Sequence, residues 1–163
     1  MKGNNPLIRQ MISYYAKDPK RIQHFVKVYQ FAKFIGEEEG LDENTQYILE
    51  TAALVHDIGI KKAEQVYGNC SGKHQEELGP KEAESMLRKL GYESQVVERV
   101  CYLVGHHHTY TNVEGLDYQI LIEADFLVNL YEDHVGTEGC KKALDTIFHT
   151  QTGKGLLVEM FCD

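Results

Sequence analysis

No apolar run in this sequence approaches the ~18 residues that a membrane-spanning helix requires. Residues 1–10 carry no apolar signal core either. Both absences point to a cytoplasmic chain. The four cysteines, Cys70, Cys101, Cys140 and Cys162, are widely spaced and form no Cys-x-x-Cys pair. Reduced thiols are expected, rather than a zinc finger or a dithiol redox motif. Basic clusters are missing as well: 17 Lys and Arg stand against 25 Asp and Glu, a net charge of −8. That balance disfavours a nucleic-acid backbone as the main partner. It leaves room for a small anionic substrate, because a metal can supply local positive charge.

Period-2 alternation of apolar and polar residues is almost absent, which argues against strands. Prolines are few, and Asn5-Pro6, Asp18-Pro19 and Gly79-Pro80 each pair a residue suited to a helix entry with proline in the first turn. What is present is helical. Apolar stripes predict helices over Pro6–Ala16, Pro19–Glu38, the stretch after Asn44 to His56, Pro80–Leu90, Ser94–Gly105, Leu116–Asp133 and 137–149. Lys61–Leu78 reads as a short helix and then a flexible polar loop, Gln151–Gly155 as a turn, and Leu156–Phe161 as a packed tail. The expectation is a single all-α domain over residues 1–163, a bundle of about six or seven helices. Its length and its 42% apolar content suffice for a core without disulfides.

Four polar residues interrupt the apolar faces. His24 shares a helix stripe with Val28, Phe31 and Ile35. His56 follows Ile48 and Ala52 at intervals of four, with Asp57 beside it at the helix end. Asp125 follows Tyr118 and Leu121 on one face of an apolar helix. A buried carboxylate must be paired, hydrogen-bonded or metal-bound. Taken singly, each residue has an ordinary structural explanation. Taken together, a shared metal accounts for all four, and two imidazoles with two carboxylates suit Fe, Mn, Co, Ni or Zn.

This ordered set resembles the HD-domain superfamily of metal-dependent phosphohydrolases. The resemblance rests on His24, the His56-Asp57-Ile58-Gly59 form of the dyad, and Asp125, and it covers residues 19–130. It implies an α-helical fold, a divalent metal held by His24, His56, Asp57 and Asp125, and hydrolysis of a small phosphate ester, usually a nucleotide. It also implies a further histidine in the His106-His107-His108 run, with His107 ranked first, to bind a second metal or the phosphate. His74 is a further candidate for a second metal, and Lys61 or Lys62 for a substrate phosphate. Asp57 and His107 are the expected catalytic pair, Asp57 accepting a proton from water and His107 serving the phosphoryl oxygens or the leaving group.

Two subgroups fit poorly. Alarmone hydrolases carry paired acids soon after the dyad, where this chain has Ile58-Gly59-Ile60-Lys61-Lys62. Cyclic-di-GMP hydrolases carry Gly-Tyr-Pro where His108-Thr109-Tyr110-Thr111-Asn112 stands here. Two alternatives remain: a non-catalytic metal- or nucleotide-binding regulator, and an oxygenase with two irons that would use both His74 and His107. A homodimer is compatible with these features but not specified by them.

Overall fold

The computed structural model describes residues 2–163, and among them every regular element is an α-helix. The nine helices are α1 Asn5–Tyr14, α2 Pro19–Glu38, α3 Glu43–Val55, α4 Gly59–Tyr67, α5 Gly72–Lys89, α6 Ser94–Val104, α7 Leu116–Glu132, α8 Thr137–Thr146 and α9 Gln151–Phe161. The all-α class agrees with the sequence, and the count exceeds the expected six or seven. The short helix expected after the dyad is present, with 9 residues, and the supposed turn and tail near the C-terminus form one helix of 11.

Packing begins with α2, which lies against both α3 and α7, while α6 also packs on α3. Val28, Ala32 and Ile35 of α2 meet Leu49, Ala52, Ala53 and Leu54 of α3 and Leu121, Ala124 and Leu127 of α7 in a fully buried core. The helix α7 is buried along most of its length, which explains its lack of a polar face. Glu123 in that helix is fully buried and still satisfied. Its carboxylate accepts from Gln119 Nε2, the backbone N–H groups of His149 and Thr150, and Thr150 Oγ1. This acid fastens the start of α9 to the core and takes no part in any ligand set.

The stretch 61–78 differs most from the sequence expectation. Pro80 does not open a helix; it lies inside α5, which begins eight residues earlier under an N-cap by Ser71. The Ser71 side chain accepts from the His74 backbone N–H at 3.4 Å. A proline costs a helix one hydrogen bond, and here packing of α5 between α4 and α6 overrides that cost. The contact with α4 is close enough to require glycine. A Cβ on Gly59 would stand 2.8 Å from the Gln75 carbonyl oxygen and 2.9 Å from Gly79 Cα. The glycine that follows the His56-Asp57 dyad is therefore a packing device that lets α4 leave the dyad directly against α5.

Candidate metal centre

The polar residues on the apolar faces converge. His24 comes from α2, His56 is the C-cap of α3, Asp57 sits in the turn before α4, and Asp125 lies in the middle of α7. His24 Nε2 is 3.1 Å from Asp57 Oδ2, 3.1 Å from Asp125 Oδ1 and 3.3 Å from His56 Nε2. His56 Nε2 is 3.3 Å from each of the same two carboxylate oxygens. All four donor atoms lie within 4.8 Å of one another.

The opposite ring nitrogens are already committed. His56 Nδ1 donates to the Ala53 carbonyl at 2.7 Å, and His24 Nδ1 meets Glu132 Oε1 at 2.7 Å. With a proton held on Nδ1, loss of the other ring proton leaves the lone pair on Nε2, the tautomer that a metal needs. Glu132 also pairs with Lys27 at 2.6 Å. The sequence reading missed Glu132, although a signal was available: it lies seven residues, two helical turns, beyond Asp125 on the same face of α7.

His107 belongs to the same neighbourhood. Its Nδ1 donates to the Val104 carbonyl at 2.8 Å. Its Nε2 is buried, has no hydrogen-bond partner among the described residues, and points at Asp57 Oδ1 from 3.3 Å. Asp57, His107 and His108 form a second group whose ligand-type atoms lie within 4.8 Å of one another. Asp57 thus presents Oδ2 to His24 and His56, and Oδ1 to His107. The turn that carries these histidines is held from two sides. The Tyr118 hydroxyl donates to the carbonyls of His106 and Thr109, and the Glu76 carboxylate accepts from the His108 N–H and Thr109 Oγ1. The dyad turn is pinned by α1, whose Tyr15 hydroxyl donates to the Asp57 carbonyl at 2.8 Å.

Three other candidates are not brought to the centre. His74 stacks on Tyr67 with ring centroids 3.9 Å apart and meets Asn69 Oδ1 at 2.8 Å. Its place on the first turn of α5, fixed by the Ser71 cap, turns it away from the cluster. His106 stacks on Tyr102 at 4.0 Å and donates to that residue's carbonyl, because the turn after α6 splays it to the opposite side from His107. Lys61 donates to the Tyr14 carbonyl at 3.1 Å and lies over the Tyr14 ring, on the outer side of α4.

Electrostatics follow from this crowding. Burial alone would lower the pKa of His24, but its bonds to Asp125 and Asp57 outweigh burial and raise it to about 10. His56 is raised for the same reason: burial opposes the charge, and the two carboxylates prevail. Burial would raise Asp57 and Asp125; the positive neighbours, His56 first, hold both well below the carboxylate range instead. His108 is pushed down to about 4, by burial and then by its neighbour His107.

In the metal-free protein these shifts carry opposite pH dependence. The raised histidines stabilise the fold fully below their unfolded value of 6.5, and that contribution is lost as pH climbs toward 10. The depressed aspartates contribute fully above 3.8 and lose their contribution as pH falls. A metal needs the rings deprotonated, so its stabilisation grows as pH rises. The gap in melting temperature between metal-loaded and chelator-treated protein is therefore expected to widen from about pH 5.5 to pH 8.5. A constant or narrowing gap in a thermal-shift series would contradict the assignment of His24 and His56 as ligands.

The donor set is one that could hold a divalent metal ion. The residues fit such an ion: two imidazoles have their tautomer fixed, two carboxylates face them, and a third imidazole nitrogen is buried without a partner. A cleft of about 310 Å³ opens over His24, Asp57 and Asp125, and connects them to the outside. Among the described residues no helix is long and apolar enough to cross a membrane. Comparison with known proteins found no curated protein and no solved structure that matches. A sequence profile described as HD domain matches residues 21–136, a span that contains His24, His56, Asp57, His107, Asp125 and Glu132. The chain belongs to the HD-domain family, most of whose members are metal-dependent phosphohydrolases.

Proposed function

We propose that this protein hydrolyses a small phosphate ester, a nucleotide or a related metabolite, with a divalent transition metal (Fe, Mn, Co, Ni or Zn) held by His24, His56, Asp57 and Asp125. The observation that carries this reading is the convergence of their four donor atoms within 4.8 Å, with His24, Asp57 and Asp125 lining an open cleft. When bound, the metal supplies Lewis-acid polarisation of a phosphoryl oxygen and a water acidic enough to give hydroxide near neutral pH.

The chain's own residues do the rest. Asp57 Oδ1 faces away from His24 and His56, so it is the carboxylate oxygen placed to accept a proton from the attacking water. His107 stands on that side, and we assign it to the phosphoryl oxygens or the leaving group. His108 is held by Gln75 Oε1 at 3.0 Å, which orients its ring toward the cleft. The oxygenase alternative needed both His74 and His107, and the engagement of His74 with Tyr67 and Asn69 removes its support. The full complement of donors argues against a regulator that has lost its chemistry.

The test is hydrolysis of an aryl phosphate by chelator-treated protein resupplied with Mn, Co, Ni, Fe or Zn. Turnover is expected with at least one metal and none in chelator. Absence of both bound metal and turnover with every metal would refute the enzyme reading.

A further inference from the structure

The charged groups around the cleft are unequally committed, and the difference bears on which phosphate ester fits. Arg21 on the α2 side is held by a fork of hydrogen bonds to Glu64 at 2.9 and 3.1 Å and by Asp18 at 3.4 Å. Its charge is already answered. Glu132 is answered by His24 and Lys27. Asp57 and Asp125 belong to the metal cluster. Among the lining residues this leaves Lys20 as a cation, and Asn129 and Asp133 as polar groups, whose side chains make no hydrogen bond or ion pair among the described residues.

Lys20 lies in the first turn of α2, and Asn129 and Asp133 lie at the C-terminal end of α7, the helix packed against α2. The α7 side is the C-terminal end of a 17-residue helix, where the helix dipole adds partial negative charge. Beyond the metal cluster the cleft therefore offers, among the described residues, one free cation from α2, and a carboxylate, an amide and a negative helix end from α7. A chain of phosphates needs a donor or cation for each group. The α7 end would repel the second and third. Hydroxyl and amino groups suit it, since a carboxylate accepts their hydrogens and the amide can do either. The volume of about 310 Å³ lies at the small end for ligand pockets.

Resting on the phosphohydrolase reading, we infer that the substrate is a small ester of one phosphate group. Its phosphate lies between the metal cluster and Lys20, and its alcohol portion presents hydroxyl or amino hydrogens to Asn129 and Asp133. The reaction is then phosphomonoester hydrolysis: water oxygen bonds to phosphorus, the ester P–O bond breaks, and the alcohol leaves with a proton while inorganic phosphate remains. Nucleoside monophosphates and polyol phosphates belong to this class; nucleoside di- and triphosphates do not.

The test uses the metal-loaded protein and one nucleoside as its 5′-mono-, di- and triphosphate, with the aryl phosphate as reference. The monophosphate is expected to exceed the triphosphate in kcat/KM by about tenfold or more. Asp133→Lys should shrink that ratio by about tenfold through KM, and Asp133→Asn should shrink it less. If the wild type turns over the aryl phosphate but handles the triphosphate as well as the monophosphate, the inference fails and the phosphohydrolase reading survives. An unchanged ratio in Asp133→Lys also overturns it. If the aryl phosphate is not turned over with any metal, both fall together.

Discussion

Replacing Asp57 by asparagine is expected to strip the protein of tightly bound metal and to lower phosphate-ester hydrolysis by on the order of 10³-fold or more. Asp57 is singled out because both of its oxygens are used. Oδ2 faces the Nε2 atoms of His24 and His56, and Oδ1 faces His107. An amide of the same shape fills the same space, yet it loses the negative charge that a divalent ion requires. It also loses the oxygen placed to take the water's proton. The fold should survive, because the contacts that hold the turn are made by backbone, through Tyr15 to the Asp57 carbonyl. The same loss of metal is expected from Asp57→Ala and His56→Ala. Elemental analysis beside a thermal melt reads the result, and full metal occupancy in any of these variants would refute the ligand assignment.

Glu132→Gln is expected to weaken metal binding by about 10- to 100-fold while leaving the helices intact. Glu132 touches no reacting group and acts as a positioning residue through His24, whose Nδ1 it meets at 2.7 Å. Its charge fixes the proton on Nδ1 and makes Nε2 a better donor. A glutamine keeps the size but not the charge, and it leaves Lys27 without its partner. Calorimetric titration with Mn or Zn should show the lost affinity, and kcat at saturating metal should largely recover. A purely structural role would lower the melting temperature without moving the metal affinity, and an affinity equal to wild type would dismiss the proposed role.

How far the sequence could be read depended on whether a residue's surroundings are local. His24, His56 and Asp125 were legible because each breaks an apolar stripe on its own helix, and that pattern needs no knowledge of neighbours. Glu132 was not, because a glutamate near a helix end also reads as a solvated residue; only the approach of α2 to α7 gives it His24 and Lys27. Among the three consecutive histidines, helical spacing ran out at the turn after α6. Backbone geometry there, held by Tyr118 and Glu76, decides that His107 and His108 face Asp57 while His106 stacks on Tyr102. His74 was misplaced through Pro80. Proline is at home in a first turn, and that local rule hid a helix that starts at Gly72 and runs through it because α4 and α6 brace both sides. The glycine after the dyad carried information of another kind: its need for close approach appears only when Gln75 and Gly79 are seen against it.

The most direct test of the metal centre is anomalous diffraction from crystals of the protein loaded with Mn or Zn, with data collected on both sides of the metal's absorption edge. The prediction is an anomalous peak bounded by His24 Nε2, His56 Nε2, Asp57 Oδ2 and Asp125 Oδ1 at ordinary ligand distances of about 2.0–2.2 Å. No peak among these four residues in metal-loaded crystals, or a peak confined to other side chains, would contradict the account.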